Sequence, residues 1–288
     1  MRIAFIGFGE VAGHFARDLR AAGHGDIEAF DIAFADLGSK ATRNARERQV
    51  AVAPNAAEAV RGADLVISAV TAGSALAAAR AVGSLPHAPF FLDVNSVSPG
   101  TKRDAAAAIE AAGGRYVEAA VMTSVPPHGI RAPMLLGGPH AAAFLPLARD
   151  LGLRAEVFSD TVGGASSVKM CRSIMVKGLE ALVTECTLTA RRYGVEREVL
   201  ASLAETIPAD WTALSRYMLT RALVHGRRRA EEVREVARTV EEAGLTPMQS
   251  PATAARHDWA ADIGAQLPPD ILATTDLPTL LDAVLAKT

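Results

Sequence analysis

Short apolar runs alternate with Ala-rich helical stretches through the first half of the chain, and this alternation limits the fold more than any other feature. Segments 2–7, 27–31, 65–69, 90–93, 116–121 and 134–138 read as strands, with 153–158 as a last one. Continuous apolar strands separated by helices bury both faces, which predicts a parallel sheet covered on each side. Beyond residue 160 the strand signals stop. Ala165–Arg192 has no proline, and Val168, Cys171, Met175, Leu179, Leu182 and Cys186 step through it at helical spacing as an apolar stripe. Further helices are expected over 197–206, 210–223, 230–243, 253–263 and 277–286. The predicted class is α/β, with a doubly wound, mostly parallel sheet over 1–162 and an all-helical domain over 163–288.

Gly7-Phe8-Gly9-Glu10-Val11-Ala12 follows the first strand and opens a helix. Gly7 makes the tight turn, Gly9 lets a pyrophosphate approach the backbone, and Ala12 permits close helix–strand packing, with the helix N-terminus facing the phosphates. Asp31 ends the second strand 22 residues after Gly9, where a carboxylate accepts hydrogen bonds from an adenosine ribose diol. Strand, glycine loop, helix and acid together predict a Rossmann-type dinucleotide site. Asp31 favours NAD, because a 2′-phosphate would meet a like charge. NADP is not excluded, although Lys40 and Arg43 lie well past the usual phosphate-binding position and read as a solvated helix face.

Composition narrows the rest. In 288 residues, 30 Lys and Arg face 32 Asp and Glu, a balance unsuited to general nucleic-acid binding. Half the residues are hydrophobic and 22% are charged, so disorder is excluded and two cores are within reach. Cys171 and Cys186 lie on one predicted helix, roughly 22 Å apart along its axis, beyond disulfide reach. No signal-peptide core or membrane span is legible, and a cytoplasmic location in a reducing compartment is expected.

The chain resembles the 6-phosphogluconate and β-hydroxyacid dehydrogenase superfamily. The resemblance rests on GFGEVA at the start, on Asp93-Val94-Asn95-Ser96-Val97-Ser98-Pro99 after a strand, and on Gly163-Gly164-Ala165-Ser166-Ser167-Val168-Lys169 opening the long helix. Three departures mark a divergent, poorly characterised subgroup. Positions where the family carries two Asn residues hold Arg172 and Ser173. Its Ser-Gly-Gly loop stands as Met122-Thr123-Ser124, and its Lys-Asp pair aligns with Glu231-Glu232. The resemblance implies a Rossmann domain followed by a helical one, a homodimer, an active site between the domains, and hydride exchange with a substrate alcohol carbon.

Alcohol oxidation needs a hydride acceptor and a group that takes the hydroxyl proton. A lysine serves when burial and nearby cations lower its pKa. Lys169 near the positive end of its helix, with Arg172 one turn on, is the expected proton-transfer group. At 100° per residue Lys169, Ser173, Val176 and Glu180 share one stripe, distinct from the apolar one. Arg172 and Ser173 are candidate substrate contacts, joined by Ser96, Thr123 and Ser124. The cofactor set is Gly7, Phe8, Gly9, Glu10, Val11, Asp31, Val70, Thr71 and Asn95. Ser98 and Pro99 should cap the next helix, leaving Asn95 and Ser96 free. The residues of Met122-Thr123-Ser124 and the prolines after them suggest a stiffer pocket wall and a larger or less acidic substrate than a simple hydroxyacid.

Each of these residues also has a plainer reading. Lys169 and Arg172 fit a solvated helix face, and the Arg227–Glu232 charge run fits a helix start laced with local ion pairs. Trp211, Tyr217 and Trp259 read as packing or dimer-interface residues. The seven histidines form no metal-ligand spacing, so no metal is expected. The leading expectation is an NAD(P)-dependent dehydrogenase acting on a β-hydroxy acid or related alcohol. The alternatives are a non-catalytic NAD-binding sensor or assembly module, an imine reductase, or a lyase on the same fold.

Overall fold

The computed structural model describes residues 1–288. Eight strands form one sheet in the order β3-β2-β1-β4-β5-β6-β7-β8. They are β1 (Ile3–Ile6), β2 (Ile27–Phe30), β3 (Ala51–Val52), β4 (Leu65–Ser68), β5 (Phe90–Asp93), β6 (Arg115–Val121), β7 (Met134–Gly137) and β8 (Ala155–Ser159). The first six are parallel; β7 runs antiparallel to β6, and β8 follows β7. Seven strands match the expected set. The eighth, β3, has two exposed residues, too few to carry a periodicity.

Helices α1 (Glu10–Ala21), α2 (Lys40–Glu47), α3 (Ala56–Val60), α4 (Ala75–Arg80), α5 (Pro99–Ala111), α6 (Val125–His128) and α7 (Ala141–Asp150) connect the strands. Alternation along β1 explains why the sheet is covered twice. Ile3 and Phe5 pack with Phe15, Leu19, Leu92 and Phe144 on one face, while Ala4 and Ile6 pack with Val66, Phe91, Ile109 and Tyr116 on the other. Burying each such aliphatic or phenyl side chain contributes about 1.5–3 kcal/mol.

The chain divides into two compact units, Met1–Met170 and Cys171–Thr288. Helix α8 (Gly164–Tyr193) contains the division, and α9 (Glu196–Thr206), α10 (Trp211–Glu242), α11 (Gln249–Gly264), α12 (Pro269–Ala273) and α13 (Leu277–Leu285) complete the second unit. Its apolar core gathers Leu188, Leu219, Leu223, Leu280, Leu281 and Val284.

Two expectations need correction here. The helices expected over 210–223 and 230–243 are one, because Gly226 does not break α10. A Cβ there would strike the His257 carbonyl of α11, so the glycine serves close packing. The second correction concerns α8. Its apolar stripe faces outward, with Met175 72% and Leu182 66% exposed. Ser173, Lys177, Glu180, Thr184 and Thr187 line the buried face instead. Hydrophobic spacing located the helix but not its inward side.

Candidate active site

Parallel register brings the predicted residues of the first unit to one edge of the sheet. Ile6 of β1 pairs with Phe30 and Ser68, and Ser68 pairs with Asp93, so the segments after these residues emerge together. This is the carboxyl edge. The strand order reverses between β1 and β4, the switch point at which ligands bind open α/β sheets.

Gly7 has φ +84°, and a Cβ on it would lie 2.5 Å from the Ala69 carbonyl oxygen and 2.6 Å from Val70 Cγ1. Only glycine fits this turn. A Cβ on Gly9 would meet nothing within 4 Å, so the backbone there borders open space, as a pyrophosphate requires. Glu10 begins α1 and Ala12 is fully buried beneath it. The residues therefore fit a dinucleotide.

Asp31 makes contacts that its predicted ribose role does not require. Its carboxylate accepts the Phe8 N–H at 2.6 Å and the Ala33 N–H at 2.8 Å, fastening the glycine loop to the end of β2. Asn44 of α2 braces the same loop, donating to the Gly9 carbonyl at 3.0 Å, and Arg48 just past α2 donates to the Gly13 carbonyl of α1 at 2.6 Å. Neither was singled out from the sequence, where both sit in an ordinary charged segment. Lys40 pairs with Glu10 at 3.4 Å on the surface.

Asn95 is not free, although Ser98 caps α5 and Pro99 opens it as expected. Asn95 is buried, and its amide donates to Ser68 Oγ at 2.9 Å and accepts the Val70 N–H at 2.7 Å. A buried amide must satisfy both ends, and here it ties the tips of β4 and β5 together. Ser96 is half-buried beside it, Thr71 is exposed after β4, and Thr123 and Ser124 are exposed after β6. Beneath this edge lies a buried charge cluster that sequence reasoning missed. Lys102 Nζ lies 2.9 Å from both the Asp93 carbonyl and Asp93 Oδ1, and Tyr116 donates to Asp93 Oδ2 at 2.7 Å. Burial and the neighbouring carboxylate push the Tyr116 hydroxyl well above its ordinary pKa.

Glu118 of β6 is fully buried and accepts the N–H groups of Gly163 at 2.6 Å and Ser166 at 2.5 Å. It thereby fixes the start of α8 and the turns that carry Lys169. A negative carboxylate at that end also offsets the positive helix terminus assigned above to the surroundings of Lys169. A glutamate inside an otherwise apolar strand was the legible signal for this residue. Lys169 is half-buried on α8.

In the second unit, Arg172 is exposed on α8, whereas Ser173 is 6% exposed. Lys177 donates to Ser173 Oγ at 3.1 Å and pairs with Glu232 at 2.9 Å. Glu232 also pairs with Arg228 at 2.5 Å. Next to them Glu180 receives Arg229 in a two-pronged pair, with Arg221 at 3.3 Å and His257 at 3.7 Å. The 227–232 run is thus not simply solvated, since Arg229 and Glu232 are buried. Burial lowers the pKa of His257 against the opposing pull of Glu180. Of the aromatics, Trp211 packs in the core while Tyr217 is exposed.

Residues 2–143 match the family model for the NAD binding domain of 6-phosphogluconate dehydrogenase, and residues 190–260 match a Domain of unknown function (DUF1932). An uncharacterized 28.5 kDa protein of Methanothermus fervidus is 30% identical over 253 residues, covering 88% of this chain and 96% of that protein. The 3-hydroxyisobutyrate dehydrogenase of Pseudomonas aeruginosa is 29% identical over 230 residues, 75% of this chain and 72% of the enzyme. Among solved structures, a conserved hypothetical protein from Sinorhizobium meliloti 1021 shares 34% identity at TM-score 0.73, covering 100% of this chain and 97% of its own. At lower identity only the fold is shared. The Mycobacterium tuberculosis 3-hydroxyisobutyrate dehydrogenase solved with L-serine has 20% identity and TM-score 0.65, covering 100% and 99% of the two chains. The imine reductase of Myxococcus stipitatus solved with NADP+ has 17% identity and TM-score 0.56, covering 99% and 100%. A glycine turn that admits no side chain, an open backbone at Gly9 and these matches lead to one assignment: the chain belongs to the 6-phosphogluconate and β-hydroxyacid dehydrogenase superfamily as a divergent, NAD(P)-binding member.

Proposed function

We propose that the protein is an NAD-dependent dehydrogenase that oxidises a β-hydroxy acid or related alcohol, or runs the same reaction in reverse. The observation that carries this reading is Lys169 on a helix whose first turn is fixed by the buried Glu118 carboxylate. When bound, the nicotinamide supplies the hydride acceptor. The chain's own part is to hold the dinucleotide with Gly7, Phe8, Gly9, Glu10, Val11, Asp31, Val70, Thr71 and Asn95, and to move the proton. Lys169 Nζ takes the hydroxyl proton as the carbon loses hydride, and returns it to the carbonyl oxygen in the opposite direction. Ser96, Thr123, Ser124, Arg172 and Ser173 are the substrate contacts in this reading. Asp31 sets the preference for NAD over NADP. The Rossmann domain over 1–162, the helical domain over 163–288, a homodimer and a cytoplasmic location belong to the same proposal. Exposed Met175, Leu182 and Val224 in the helical unit support the dimer, which sedimentation analysis tests.

The test is NADH formation across alcohols graded from simple β-hydroxy acids to bulky uncharged aryl β-hydroxy compounds. Lys169→Ala is expected to lose about 10²–10⁴-fold in kcat while binding NADH normally. NADH binding with no Lys169-dependent turnover would favour a cofactor-sensing module instead.

A further inference from the structure

Lys102 is a costly side chain where it stands. It is 1% exposed and lies near the start of α5, where the positive end of the helix disfavours a second positive charge. Ala105, Ala106 and Ile109, three, four and seven residues on, continue the same buried face of α5 as an apolar surface. An apolar residue at 102 would extend that surface without the cost, since a buried ion pair is seldom a net source of stability. The charge has a more specific use. Its ammonium lies 2.9 Å from both the backbone carbonyl and the carboxylate of Asp93, the last residue of β5. The same carboxylate accepts the Tyr116 hydroxyl at 2.7 Å and the Asn95 N–H at 2.9 Å. Donors from α5, from β6 and from the turn after β5 thus converge on one carboxylate, which holds the main chain of that turn. Asn95 carries the constraint across to β4. The Val70 N–H can only donate, so the Asn95 amide oxygen must face it, at 2.7 Å, and the amide nitrogen then faces Ser68 Oγ.

We propose that Lys102, acting through Asp93 and Asn95, is a positioning residue for the nicotinamide half of the dinucleotide site. The inference rests on the assignment above of Val70 and Asn95 to the cofactor and of Asp31 to the adenosine ribose. The strand order reverses between β1 and β4, and a dinucleotide lies across such a switch point with one mononucleotide on each side. Asp31 follows β2 on one side, which leaves the tips of β4 and β5 to the nicotinamide. Val70 and Asn95 stand at those tips and are bonded to each other. The cluster of Lys102, Asp93 and Tyr116 fastens them to the core beneath. A contact residue keeps its binding geometry only when such a hydrogen-bonded support fixes it. The charge at 102 is placed for the cofactor rather than for the fold.

The experiment compares the native chain with Asn95→Ala, the double variant Lys102→Met/Asp93→Asn, their triple combination, and Tyr116→Phe. Affinities for NADH and for ADP, which carries only the adenosine and the pyrophosphate, are measured by titration alongside thermal melting. The paired replacement removes both charges together, so neither is left uncompensated, and the new amide keeps an acceptor for the Asn95 N–H. Asn95→Ala and the paired replacement are each expected to weaken NADH binding by about tenfold, with ADP affinity within about twofold of native. Because the cluster acts through Asn95, the triple variant should lose no more than Asn95→Ala alone. Tyr116→Phe deletes one donor and leaves both charges in place, so it carries the test if the paired replacement fails to fold. Its expected loss is about threefold, for NADH and not for ADP. NADH affinity untouched by the cluster variants, equal losses for NADH and ADP, or losses that multiply in the triple variant would overturn this proposal alone. NADH affinity untouched by Asn95→Ala would overturn it together with the assignment of Asn95 to the cofactor.

Discussion

The two units bury charge for different ends. In the first, the buried polar groups each take hold of backbone: Glu118 accepts the N–H groups of Gly163 and Ser166 at the start of α8, Lys102 reaches the Asp93 carbonyl as well as its carboxylate, and Asn95 holds the Val70 N–H as well as Ser68 Oγ. In the second they grip one another, with Glu180 taking Arg229 and Arg221 while Glu232 takes Lys177 and Arg228. Charge bound to backbone sets where a helix or strand ends. Charge bound to charge sets which helix faces which, because a slipped helix would strand an ion in the interior.

This contrast is easiest to break by removing one carboxylate from each unit. Glu180→Gln strands Arg229 and is expected to cost about 3–5 kcal/mol, lowering the melting temperature of the helical unit. Glu118→Gln keeps the shape and one acceptor, so the expected cost is about 1–3 kcal/mol, with faster amide exchange confined to the first turns of α8. Equal costs, or global unfolding by the second variant, would erase the distinction.

The glycine turn sharpens the contrast from the side of binding. Gly7→Ala forces a Cβ against Ala69 and Val70 at positive φ, and NADH affinity is expected to fall at least about 100-fold by fluorescence titration. Asp31→Ser is a smaller change. It removes the like charge that opposes a 2′-phosphate and weakens the tether to Phe8, so the NAD over NADP preference should drop by about tenfold in paired kcat/KM measurements. An unchanged preference would remove Asp31 from the role of selector.

The mildest effect belongs to His257. Its folded pKa lies below the unfolded value of about 6.5, so the unfolded chain binds more protons between the two. Stability from this group is complete above the unfolded pKa and falls as pH drops from there toward the folded pKa. Chemical unfolding from pH 7.5 to 5 should give a declining stability whose slope is reduced in His257→Phe; a slope unchanged by that substitution would exclude the histidine.

Much of the first unit could be read from sequence because its signals are local. A strand, two glycines, a small residue and an acid at fixed spacing define the loop, and seven strands declare themselves by apolar runs. What escaped depends on three-dimensional neighbours. Asn44 and Arg48 look solvated until α2 is laid against the glycine loop. Glu180 lies on the stripe of Lys169 and Ser173, with Lys177 beside it, and nothing in α8 itself reveals the partners brought by α10 and α11. Spacing identifies faces of a helix, while the choice of inner face follows from what the other helices offer.

The α10–α11 pair touches at bare backbone. Side chains at Gly226 and Gly264 would strike the His257 and Leu223 carbonyls respectively, so each helix brings one glycine against a carbonyl of the other. Two such points fix the pair in translation as well as in separation. Mutational drift within this unit is therefore channelled. Positions between the two glycines can exchange one apolar residue for another and let the core adjust. At 226 and 264 even a methyl group moves a whole helix, so a saturation library there should return glycine alone.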